Sequence, residues 1–252
     1  MKQIFTKSMF TVALMPLLFS AGTVLAQETS PAEPEYKNQV KWNVPAAFLK
    51  NFTFQYERAI AKKISVGVHV RFASKSKLPF QGTIESLIDD KEAYDRIKDF
   101  KTGNFSISPE VRFYLGEQVF KGFYLAPFGS YSSYNASGPF RFQSSQGTLD
   151  MPLEGNIKTI SGGLYIGSQF NVSKRVGLDL FIGPNFGALS GTISGKKTLN
   201  TDEQNGLRSG LNDLEEIPMV KSKYTVDGNG ASVDLDGNWP GLRAGLSVAF
   251  RF

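Results

Sequence analysis

The stretch Leu242-Arg243-Ala244-Gly245-Leu246-Ser247-Val248-Ala249-Phe250-Arg251-Phe252 decides the fold class. In an extended chain Leu242, Ala244, Leu246, Val248, Phe250 and Phe252 fall on one face, while Arg243, Gly245, Ser247, Ala249 and Arg251 fall on the other. An ordinary strand runs to roughly 5–6 residues, whereas a strand crossing a bilayer at a tilt needs roughly 9–11. This alternation has the longer measure, and it sets the pattern to look for upstream.

The pattern recurs. Ile64, Val66, Val68, Val70 and Phe72 alternate with Ser65, Gly67, His69 and Arg71, and Phe105 to Leu115 alternates with Ser106, Ser108, Glu110, Arg112 and Tyr114. Val176, Leu178, Leu180 and Ile182 alternate with Gly177, Asp179, Phe181 and Gly183. Ile160, Leu164, Ile166 and Phe170 mark a further strand, Phe52, Phe54 and Tyr56 another, and Val40, Trp42, Val44, Ala46 and Phe48 the first. Gly122 to Tyr134 is extended with aromatics on both faces, so its inward side stays unassigned. Eight strands result. Ala61–Lys63, Gly116–Lys121 and Asn171–Arg175 are tight turns; Ala73–Gly103, Asn135–Gly155 and Ser190–Asn238 are long connections. Short and long alternate as in an up-and-down barrel with every second connection in the periplasm. Parity makes Leu49–Asn51 a short outer turn.

The first 26 residues are set apart. Lys2 and Lys7, the apolar run Met9–Ala21 and the compact Val24-Leu25-Ala26 read as a signal peptide cleaved before Gln27. The run falls short of the ~20 apolar residues of a spanning helix. Residues 27–38 read as a flexible periplasmic segment and residues 39–252 as an outer-membrane barrel. Loss of Lys2 and Lys7 takes the net charge from +5 to +3, with no basic run to follow a phosphate backbone, so nucleic acid is not an expected partner. The absence of cysteine excludes disulfides and thiolate metal sites.

A sheet in hydrocarbon leaves no edge unpaired at tolerable cost, which requires closure. At eight strands side chains fill the interior. The inward set is Lys41, Gln55, Glu57, His69, Arg71, Glu110, Arg112, Asp179, Arg243 and Arg251, with Glu57, Arg71, Glu110 and Arg112 expected to plug the lumen. The rival is a soluble lipocalin-type barrel with its apolar face inward, but its outer face should be dense in Lys and Glu. Here the polar face is mostly Gly, Ser, Ala and Asn with isolated charges.

The ending Phe250-Arg251-Phe252 resembles the C-terminal signature of outer-membrane barrels, which implies the barrel-assembly machinery as a partner during insertion. In architecture the chain resembles the small eight-stranded proteins of the OmpA-barrel, OmpX and opacity-protein type. Asn43 followed by Asn51, Tyr56-Glu57-Arg58-Ala59 and Ser65-Val66-Gly67 resemble a family of Gram-negative barrel proteins catalogued only as a domain of unknown function. That resemblance implies a fold and a location but no activity.

The chemistry-bearing candidates are few. His69 is the only histidine. Ser65 shares its face and Glu57 lies on the neighbouring strand, yet four residues along a strand separate Ser65 from His69 by about 13 Å, beyond hydrogen-bond reach. Asp234-x-Asp236-Gly237-Asn238 has the start of a calcium loop without its later ligands and reads as a turn. Asn51, Asn104 and Asn171 begin glycosylation-like triplets on strands or inner turns and read as chance. Thr83–Phe100 has helical spacing, Phe140, Phe142, Leu149 and Met151 flank a turn, and Asp227-Gly228-Asn229-Gly230 is a hairpin signal. Strands therefore continue above the membrane as ribbons. The expectation is a monomeric, non-enzymatic barrel in outer-membrane lipid, without cofactor, metal or catalytic residues, contacting an extracellular partner through its loops. Transport of a small molecule or ion is the alternative, and lipid modification the third reading.

Overall fold

The computed structural model describes residues 36–77, 98–145, 147–212 and 220–252. The leader Met1–Ala26, the segment 27–35 and nearly all of the helical spacing at Thr83–Phe100 lie outside them. Among the described residues ten antiparallel strands form one sheet: β1 (Asn38–Asn43), β2 (Phe52–Ala61), β3 (Ile64–Lys77), β4 (Lys101–Tyr114), β5 (Gly122–Ser144), β6 (Gly147–Asn171), β7 (Val176–Lys196), β8 (Val220–Asp227), β9 (Gly230–Asn238) and β10 (Gly241–Arg251). Strands β1 to β7 pair in sequence order, and β10 pairs with both β1 (Val40 opposite Phe250) and β7 (Val176 opposite Phe250). Eight strands thus close into a ring with no free edge.

The ninth and tenth strands share β7. Its lower part, Val176–Asn185, carries β10, and its upper part, Ala188–Lys196, carries β9. The two partners follow one another along β7 and are interrupted at Trp239-Pro240, where Pro240 has no N–H to donate. The hairpin read at Asp227-Gly228-Asn229-Gly230 joins β8 to β9. Gly230 sits at φ +142° with its Cα against the Gly195 carbonyl, a position no Cβ fits.

Two local expectations are corrected. The first strand does not reach Phe48, because it ends at Asn43 and Val44–Phe48 form a short helix, α1. The Asn43 side chain accepts from the Ala46 N–H at 3.1 Å and Pro45 stands in the first turn, so a cap and a residue that cannot donate to a ladder outweigh the alternation. Asp234-x-Asp236-Gly237-Asn238 is not a turn but part of β9, with Asp234 opposite Thr192 and Lys223, and Asp236 opposite Ser190 and Lys221. Strand pairing on both sides leaves it no loop to wrap an ion.

Asn135–Gly155, which reads as a long connection, is strand on both sides of a tight turn near Ser145, the ribbon expected from its aromatic and aliphatic pairs. Along β6 from Leu149 to Gln169 the odd residues are the more buried, inward set and the even residues the exposed, outward set, Ser168 near the lower end excepted. Between Ile160 and Phe170 the outward residues Ile160, Leu164, Ile166 and Phe170 are apolar and exposed, while Thr159, Ser161 and Gln169 are buried inside. Above Thr159 the arrangement inverts: Asp150, Glu154, Asn156 and Lys158 face out, and Met151, with Leu149 and Leu153, turns in. The seventh strand inverts likewise, from Leu178, Leu180, Ile182 and Phe186 outside to Ser190, Thr192 and Ser194. The lower part is therefore an inside-out barrel with an apolar belt. The upper part is an ordinary folded cap.

That cap has its own core. Helix α2 (Thr201–Asn212), unforeseen in the sequence, lays Leu207 and Leu211 against Phe142, Met151, Val226 and Val233. Its start is a reciprocal cap, in which the Glu203 N–H donates to Asn200 Oδ1 at 2.9 Å and the Asn200 N–H to Glu203 Oε2 at 2.8 Å. Gly206 lets the helix approach the Gln143 carbonyl, where a Cβ would lie 2.0 Å away. At the tip, the hydroxyl and backbone N–H of Ser145 donate to Asp202, which holds that carboxyl below the usual aspartate range.

Candidate functional site

Chemistry in this fold sits in the lumen. At the short-turn end, the turn after β4 folds back so that Val119 and Phe120 are buried beneath Tyr114 and Tyr124. The Val119 N–H donates to the Lys62 carbonyl, and the Phe120 carbonyl accepts from Arg251. A stretch legible only as a turn thus stoppers the barrel.

Above it lies a fully buried ionic network. Lys41 Nζ is 2.6 Å from both Glu57 and Asp179. Arg112 pairs with Asp179 at 2.7 Å, with Glu57 at 3.5 Å and with Glu110. Gln55 donates to Glu110 at 2.6 Å, Gln39 to Glu57 at 2.9 Å, Tyr114 to Glu57 at 2.7 Å and Tyr124 to Asp179 at 2.6 Å. Three carboxylates face two cations and a histidine, and neutral donors fill most remaining lone pairs, the condition under which buried ions are tolerable. Tyr124 stacks its ring under the Arg112 guanidinium at 4.3 Å.

Three of the four expected plug residues, Glu57, Glu110 and Arg112, meet here, joined by Lys41 and Asp179. Arg71 does not. Its parity is inward, but it stands higher on β3, opposite Thr53 and Ser106, because alternation reports the face of a residue and not its height. The Ser65, Glu57 and His69 set is not assembled as a relay. Ser65 donates to Glu57, whereas His69 bonds Glu110 at 2.8 Å. Asp234 accepts from Thr192 at 2.8 Å, and no cluster of metal-ligating side chains forms among the described residues.

An aromatic layer closes the middle. Phe128 stacks on Tyr165 at 3.9 Å, and Tyr165 contacts Phe181 at 4.9 Å. The glycines facing them make room: a Cβ at Gly163 would strike Phe128, one at Gly167 Tyr124, and one at Gly245 Phe181. Tyr124, Ala126, Phe128, Ser130 and Ser132 are therefore the inward side of β5. Glycines that suggest spare room inside a barrel are in fact the seats of rings on neighbouring strands.

The upper lumen is different. Arg243 lies over Phe128 and Tyr165 and donates to Ser108 at 3.0 Å, the lowest rung of a hydroxyl ladder through Ser130, Ser106 and Ser132. Arg71 donates to the Tyr134 hydroxyl at 3.0 Å. Both arginines line a cavity of about 140 Å³ with Ser132, Tyr134, Ser161 and Asn185, roofed by Trp239. Tyr134 and Trp239 also line a neighbouring apolar cavity of about 310 Å³ with Ala136, Ile157 and Ile193.

With this geometry in hand, the sequence matches, over residues 12–192, the family described as "Protein of unknown function (DUF3575)". The chain belongs to that family. In this DUF3575 member the matched segment runs through β1–β6 and into β7, while α2 and β8–β10 lie beyond it. No curated protein matches the sequence. Among solved structures, it is similar to a major outer membrane protein from Thermus thermophilus, at 15% identity and a TM-score of 0.41, covering 86% of this chain and all of that one. It is also similar to the outer membrane protease OmpT from Escherichia coli, at 7% identity and a TM-score of 0.36, covering 86% of this chain and 93% of that one.

Proposed function

We propose that this DUF3575 member is a sealed, non-enzymatic, monomeric barrel of the Gram-negative outer membrane, of the small eight-stranded type, whose cap makes contacts outside the cell. The observation that carries the reading is the inversion of polarity along β6 and β7 without a break in register. An exposed apolar belt of this height suits lipid, with roughly 9–11 residues per tilted crossing. The cap above it is built for water. In this reading the short turns and the pairing of Asn38 with Phe252 lie in the periplasm, the exported chain loses its leader before Gln27, and Phe252 is read by the assembly machinery.

Transport finds little support, since the stopper, the ionic network and the stacked rings fill the lumen in succession. Among the described residues His69 pairs with Glu110 and not with a nucleophile, which weighs against the lipid-modification reading. The test is a pair of measurements on the full chain and on a variant with Leu189–Asn238 replaced by a short turn. Both should insert, giving a heat-dependent gel shift and silent planar bilayers, and only the full chain should confer surface adhesion on cells displaying it. Stepwise conductance, or adhesion that survives removal of the cap, would contradict the proposal.

A further inference from the structure

We infer that the upper lumen is a binding site for a small amphiphilic carboxylate, its head between Arg71 and Arg243 and its apolar part against Ile157, Ile193 and Trp239. Four observations carry this. Two guanidinium groups line one cavity of about 140 Å³, and neither forms an ion pair with a carboxylate among the described residues. This contrasts with the network below, where each carboxylate has a cation at hand. Like charges brought together out of bulk water cost free energy unless an anion joins them.

The donors are left ready. Arg71 Nε is buried with no hydrogen-bond partner among the described residues, and the buried Ser132, Ser161 and Asn185 line the same cavity. Among the described residues Arg71 and Arg243 are each held by a single neutral oxygen, Tyr134 and Ser108 respectively, which fixes the forks and leaves N–H groups for a bidentate acceptor.

The surroundings select the rest of the molecule. Tyr134 and Trp239, with ring centroids 5.7 Å apart, wall both this cavity and the apolar one of about 310 Å³ next to it. A polar pocket opening beside an apolar one is the arrangement of a site that orients a ligand by its head. Below, the Phe128 and Tyr165 stack closes the floor, so the ligand is held and not passed through. The inference is independent of what the cap contacts.

The test uses Trp239 as reporter. The chain has two tryptophans, and Trp42 lies on the outer face, so Trp42→Phe leaves Trp239 alone. Hexanoate titrated into this protein in detergent should shift Trp239 emission saturably, while hexanol and acetate should bind far more weakly. Arg71→Gln with Arg243→Gln should weaken hexanoate by about tenfold or more, the loss expected for charge-assisted hydrogen bonds. Folding of each variant is read from the heat-dependent gel shift. If the double variant does not fold, single Arg71→Gln carries the comparison, since Arg71 stands outside the Ser108 ladder. Equal binding of hexanol, equal binding of acetate, no saturable shift, or undiminished hexanoate affinity in the folded arginine variants would each overturn the inference.

Discussion

The belted barrel and the cap are built from the same strands with opposite chemistry. In the barrel, Glu57, Arg112 and Asp179 are completely buried and Leu164, Ile166 and Leu180 are exposed; in the cap, Met151 and Leu207 are completely buried while Asp150, Glu154 and Lys158 face outward. Strand pairing is indifferent to this change, since β5, β6 and β7 run through it in register. In the membrane reading proposed above, what changes is the solvent. Where hydrocarbon surrounds the sheet, apolar residues belong outside and the core is held by satisfied ions; where water surrounds it, burial of apolar area resumes its usual role.

The comparison can be broken first at the ionic network. Arg112→Met leaves Glu57, Glu110 and Asp179 short of their shared cation, and loss of one partner of a buried pair costs about 3–5 kcal/mol. Urea unfolding in lipid should show the loss across the whole barrel. Leu207→Ala should instead cost about 2–5 kcal/mol in the cap alone. Limited proteolysis would then cut near α2 while the folded-barrel band on a cold gel stays unchanged. Loss of the barrel band in that variant would mean that the two regions do not hold themselves together separately.

One strand also permits a matched pair. Leu164→Lys and Asn156→Lys both change outward positions of β6, below and above the inversion. The first should cost about 2–4 kcal/mol at a mid-membrane site and the second should fall within about 0.5 kcal/mol of the parent, measured as the same unfolding midpoint. Equal effects would remove the boundary.

Much of this was legible because period-2 alternation is a local property. The faces of β2, β3, β4, β7 and β10 follow from it directly, and with them the burial of Glu57, His69, Glu110, Arg112 and Asp179. What escaped depends on partners far away in the chain. The inward side of β5 is undecidable locally because Tyr124 and Phe128 are accommodated by Gly167 and Gly163 on β6. Arg71 belongs to the upper cavity and not the plug because height in a tilted barrel comes from register, which no single strand reports. Helix α2 carries two glycines that lower its propensity, and its start is signalled just by the Asn200 to Glu203 spacing and the acidic Asp202 and Glu203 of its first turn.

The smallest expected effect lies at the cap tip. Asp202 is held below the ordinary aspartate value of 3.8 by Ser145, so its contribution is present above that value and is lost as the pH falls through the lower folded value. The protection of the Ser145 amide against hydrogen exchange, taken relative to the intrinsic rate at each pH, should fall on acidification in that window. Asp202→Asn should be insensitive to it.

The inversion itself is open to direct measurement. The chain has no cysteine, so single cysteines at outward positions of β6 can carry an environment-sensitive fluorophore without a background label. In lipid vesicles, labels at 160, 164, 166 and 170 should be quenched by lipid-soluble nitroxides, and labels at 150, 154, 156 and 158 by water-soluble iodide, with the change falling between Lys158 and Ile160. Iodide quenching at 164 and 166, or lipid quenching that continues up to 150, would contradict the account.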